Sequence, residues 1–156
     1  MAGADQVRVI TPLDRLWRRD APAAAGALSP LADDGISVTL NQVDLEEGDW
    51  VTIDADGEAD LVGATSSPAA FIVFRGGTDR RDTRFTEAVT LLLGTYEAFS
   101  KKFDVGGTYV NGTALTAKNG QLEEAGSGDF VVGHAFGAPA SGELHFHTYY
   151  AGGVLA

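Results

Sequence analysis

The feature that most constrains this chain is the spacing of its glycines between residues 112 and 154. Short apolar runs such as Phe130-Val131-Val132 and Leu144-His145-Phe146 are punctuated by glycine or asparagine at close, regular intervals. That rhythm belongs to a compact unit of short antiparallel strands joined by tight turns. Asn119-Gly120 is the strongest signal within it. A two-residue hairpin turn needs positive φ at both central positions, and this dipeptide tolerates it best. Strands are expected near residues 114–117, 130–136 and 144–150, and the apolar tail 152–156 adds an edge strand.

A fainter version of the pattern lies upstream. Residues 50–53 read as a strand closed by Asp56-Gly57, a second hairpin signal. Residues 36–40 alternate as a half-buried strand. The unbroken run Phe71-Ile72-Val73-Phe74 reads as a central strand, covered on both faces. Residues 87–99 read as a strand or a pair of strands, with a short helix over 86–93 as the runner-up, because Ala88, Val89, Leu92 and Leu93 also fit one helical face. Residues 101–110 read as a turn and a short strand. The expected fold is all-β: a compact β-barrel or β-sandwich of short antiparallel strands.

The two halves, 36–104 and 105–156, can be laid over each other with few identities. Two equivalent β units, and the ordinary self-likeness of any hairpin-rich protein, fit that overlay equally well. Residues 1–35 differ in character. They hold Pro12, Pro22 and Pro30, an alanine-rich stretch at 21–26, and the basic cluster Arg15, Arg18 and Arg19 around Trp17. They read as an extended N-terminal arm leading into a β domain over 36–156, with one short helical turn near residues 13–19 that Pro12 can open. Leu13, Leu16 and Trp17 form an apolar cluster that gains from burial, on this chain or on a neighbour.

Composition narrows the function classes. The absence of cysteine removes disulfides, thiolate metal sites and a cysteine nucleophile, and fits an intracellular origin better than a small secreted scaffold. A net charge of -11 makes nucleic acid and anionic membranes poor partners. No apolar run approaches the roughly 20 residues that span a bilayer. The first eight residues carry Asp5 and no apolar stretch, so no signal peptide is visible.

Catalytic motifs are scarce. No Gly-x-Ser-x-Gly elbow occurs, and no Gly-Lys-Ser/Thr follows Gly76-Gly77, so neither a hydrolase nucleophile nor a phosphate loop is expected. No catalytic residue and no cofactor are expected. The metal candidates are His145 and His147, which share one face of a strand, with Glu143 beside them and His134 within reach by strand pairing. Zinc needs a third ligand and usually a fourth, so a solvated polar face is the competing reading. The acids at 54, 56, 58 and 60 read as a decorated hairpin turn rather than a calcium loop, since the EF-hand spacing and flanking helices are missing. Arg80, Arg81 and Arg84, interleaved with Asp79 and Asp82, form a charged loop whose guanidinium groups could fork onto a partner's carboxylates.

The C-terminal third resembles the head decoration (cement) proteins of tailed bacteriophages, of the lambda head-protein D type. The resemblance is carried by Ala114-Leu115-Thr116, Gly120-Gln121-Leu122, Phe130-Val131-Val132-Gly133 and Gly142-Glu143-Leu144-His145-Phe146. A looser version covers residues 48–99, and the proline-rich start matches that family's N-terminal arm. The resemblance implies a non-enzymatic virion protein on the outer surface of the capsid. Its partner would be the major capsid protein, and it would act as a homo-oligomer, a trimer by preference. Leu13, Leu16, Trp17, Arg18, Arg19, Arg80, Arg81 and Arg84 are then the expected partner contacts. Another virion β protein (a tail-tube or head-fibre component) and a cellular ligand- or metal-binding β-barrel are the alternatives.

Overall fold

A computed structural model describes residues 6–22, 45, 47–75 and 88–148. Among them the chain forms strands β1 (Val7–Val9), β2 (Trp17–Pro22), β3 (Trp50–Ile53), β4 (Ala59–Leu61), β5 (Phe71–Arg75), β6 (Ala88–Leu93), β7 (Glu97–Ser100), β8 (Asn111–Lys118), β9 (Gln121–Glu124), β10 (Gly133–Phe136) and β11 (Leu144–Thr148). A single 3-10 turn, Leu13–Arg15, separates the first two strands. The fold is all-β, as the sequence implies. The strands build a six-stranded sheet in the order β1-β7-β11-β10-β8-β9 and a five-stranded sheet in the order β2-β6-β5-β3-β4. Every pairing between named strands is antiparallel.

The two sheets share one core. Trp50, Ile72 and Leu92 from the five-stranded sheet pack with Val7, Ala98, Leu115, Ala135, Leu144 and Phe146 from the six-stranded sheet. Phe146 is fully buried at its centre, meeting Tyr96 edge-on and Trp50 at a tilt. The opposite face of the five-stranded sheet carries a second cluster, with Leu45, Val51, Val73, Val89 and Leu91. That sheet is therefore apolar on both faces, which explains why residues 71–74 and 88–93 show continuous rather than alternating hydrophobicity.

The helix considered for 86–93 is excluded over residues 88–93. The segment is β6, and its apolar residues looked helical because a doubly buried strand needs them on both faces. Gly94, at φ +74, ends it, and the chain crosses to the other sheet as β7.

Both hairpin signals are realised. Asn119 and Gly120 take φ 53 and 74, the left-handed pair that a tight hairpin demands. Residues 54–58 close β3 to β4 through Asp54 N to Glu58 O, 2.9 Å, with Gly57 at φ +80. The β8–β9 tip also ties the sheets together: Asn119 N donates to Gly63 O (2.7 Å) and Trp50 N to Gly120 O (3.0 Å).

The N-terminal expectation needs correction for residues 6–22. These are not an arm apart from the body: β1 pairs with β7 and β2 with β6, so the segment adds one strand to each sheet. The short helical turn is present, confined to Leu13–Arg15. The expected strand at 36–40 and the tail at 152–156 lie outside the described residues.

Candidate interaction face

Strand alternation determines what the outer face of the six-stranded sheet presents. On β11, Leu144, Phe146 and Thr148 turn into the core, so His145 and His147 point outward. On β7, Ala98 and Ser100 are buried and Glu97 and Phe99 face out. Register then sets the neighbours. Arg8 stands beside Phe99 and Phe99 beside His145, while Glu97 stands beside His147 and His147 beside His134. All three histidines of the chain thus sit on one face.

The side chains form a flat aromatic row. The Arg8 guanidinium lies 3.9 Å over the Phe99 ring, a cation–π contact. Phe99 stacks on His145 at 4.3 Å and 14°. Phe136, 43% exposed, sits against both His145 (4.6 Å) and His147 (4.9 Å). His134 stacks on His147 with 6.0 Å between ring centres. An ion pair and a hydrogen bond brace the row: Arg8 Nη2 donates to Glu143 Oε1 at 2.9 Å, and His145 Nε2 lies 2.6 Å from Glu97 Oε2. Partial burial pushes the His134 pKa below the ordinary imidazole value, and the neighbouring His147 adds to the shift.

This geometry suits contact more than coordination. The structure brings His134 to His147 as strand pairing allows, but the imidazoles are spaced as stacked rings, and His145 is engaged by Glu97. Among the described residues, the one group of three ligand types drawn within 4.8 Å of one another is Asp54, Asp56 and Glu58. There Asp54 Oδ1 accepts from the backbone N–H groups of Asp56 and Glu58, both at 2.9 Å, so the carboxylate caps its own turn.

The predicted arm contacts divide at the start of β2. Leu16 is the buried member, 8% exposed and part of the shared core, whereas Trp17 is 63% exposed. Arg18 and Arg19 are exposed, and Leu13 lies in the 3-10 turn. Arg80, Arg81 and Arg84 lie outside the described residues. Sequence reading did not single out Arg8, Glu97, Phe99 or Phe136 as site residues. The signal that could have found them was alternation in β7 and β11, given the pairing between the two strands.

No protein-family model, curated protein or solved structure matches the chain.

Proposed function

We propose that this chain is a non-enzymatic structural protein that decorates a phage capsid by docking on the major capsid protein lattice. The sequence resemblance to head decoration proteins names the partner and favours a trimer. The observation that carries a docking role is the Arg8–Phe99–His145–Phe136 row, an exposed set of aromatic and guanidinium groups held on a rigid sheet. Such groups dominate the energetics of protein interfaces because they bring large contact area with few rotatable bonds. Repetition on a closed lattice supplies avidity, so each contact can be individually modest.

The test is co-sedimentation with mature, undecorated capsids of the cognate phage. The intact chain binds in stoichiometric amounts, and Phe136→Ser, an exposed change that leaves the core intact, binds at least tenfold more weakly. Absence of binding by the intact chain removes the proposal. Binding unchanged in Phe136→Ser removes this face as its contact.

A further inference from the structure

A cleft of about 360 Å³ opens between the two sheets, away from the histidine face. Trp50, Leu92, Tyr96 and Val132 line it together with the exposed Trp17. Its capacity suits one or two large side chains rather than an extended cofactor. The Trp50 ring closes the floor of the cleft, while its indole Nε1 is buried away from solvent, with no hydrogen-bond partner among the described residues.

The rim is basic. Arg19 lines the cleft, and Arg15 joins Trp17, Leu93 and Gly94 around a second hollow of about 240 Å³ on the same tryptophan. Of the two acids nearby in sequence, Asp20 accepts a hydrogen bond from Thr90 Oγ1 at 2.7 Å, and Asp14 is exposed in the 3-10 turn. A cationic rim around exposed tryptophan is unusual on a chain of net charge -11. It complements negative charge in whatever enters.

We infer that this cleft receives one large apolar side chain carried on an acidic peptide segment of a partner protein. The side chain fills the apolar floor formed by Trp50, Leu92, Tyr96 and Val132. The flanking carboxylates meet Arg15 and Arg19. This surface is distinct from the histidine face, and the inference stands or falls independently of capsid binding.

Trp17 and Trp50 are the two tryptophans of the chain, and both line the cleft, so intrinsic fluorescence reports occupancy directly. The probe is the blocked pentapeptide acetyl-Asp-Glu-Phe-Glu-Asp-amide, compared with the same peptide bearing alanine at its centre and with a version whose acids are lysines. The acidic phenylalanine peptide should give a saturable change, and the other two should bind at least tenfold more weakly. Ala69→Phe, at an exposed position on the cleft wall, should abolish the response with an unchanged melting curve. Arg19→Glu should weaken it at least tenfold and serves if the first variant fails to fold. The inference is overturned if the acidic peptide gives no saturable change at millimolar concentration, if the lysine peptide binds as tightly, or if both variants respond like the parent. Binding of free 3-phenylpropionate as tight as the peptide's overturns the peptide assignment.

Discussion

Gly133 opens β10 directly beneath the histidine row, and its lack of a side chain is a packing requirement. A Cβ built there would overlap the His147 carbonyl oxygen and lie 2.9 Å from its carbon and 3.1 Å from Thr148 Cα. All three are backbone atoms, so no rotamer change relieves the overlap. Gly133 does not occupy a left-handed conformation, so the conflict is one of space rather than of backbone strain. An ordinary contact begins near 3.4 Å, so β10 must retreat from β11 by more than an ångström. That breaks the pairing of Gly133 with Thr148 and strains its pairing with Leu115. Overpacking costs about 1–3 kcal/mol and each lost ladder bond about 1 kcal/mol, so Gly133→Ala should destabilise by about 2–5 kcal/mol. For a domain of this length, that corresponds to a fall in Tm of about 5–15 °C by calorimetry. Gly63→Ala is the matched control: a Cβ there meets open space, and its Tm should stay within about 2 °C of the parent. A Gly133→Ala protein melting as high as the Gly63→Ala control would refute the β10–β11 geometry on which the face depends.

Three further outcomes are expected. His134 pairs with His147 on β11 and shares the outer sheet face with His145 and with Glu97 on β7, and its depressed pKa means that the unfolded chain takes up the proton first. Stability should therefore be constant above the ordinary imidazole value of 6.5 and fall as the pH drops from there through the folded value; His134→Gln should flatten that slope in Tm-versus-pH scans, and equal slopes would contradict it. Burial, followed by the charges of Asp104, Glu123 and Glu124, pushes Tyr109 up to about 12, and its hydroxyl donates to Asp104 O at 2.6 Å. The stability this adds is present below pH 10 and lost as the pH rises through about 12, so the 295 nm titration of the parent minus Tyr109→Phe should step near 12 rather than 10. Lys102 Nζ lies 2.6 Å from Asp49 Oδ1 in a largely buried pair, so Lys102→Met should cost about 1–3 kcal/mol in urea unfolding and Lys102→Met with Asp49→Asn should cost less; an additive double variant would contradict the pairing.

The fold was most legible where local chemistry decides structure. Asn119-Gly120 and Asp56-Gly57 marked their hairpins because left-handed backbone selects those residues, and the run at 71–74 marked a strand buried on both faces. Strands β1 and β2 were not legible. Val7-Arg8-Val9 is too short to show a period, and Trp17–Pro22 mixes two arginines, an aspartate and a proline. Their pairing partners lie 66 or more positions away, so only the tertiary register makes them strands. The same limit applies at Leu16 and Trp17, where the buried member is set by packing into the shared core rather than by hydrophobicity. His145 and His147 were correctly placed together because alternation in β11 is local. Phe99 and Phe136 were passed over because composition marks phenylalanine as core, and the pairing that turns them outward is long-range.

The proposed role requires the outer face of the six-stranded sheet to be a docking surface for a capsid lattice. The most direct measurement is a cryo-electron micrograph reconstruction of cognate capsids incubated with the chain. The account predicts density for this fold on the outer capsid surface, with Arg8, Phe99 and Phe136 against the major capsid protein. Bare capsids, or bound chains with that face turned to solvent, would contradict it.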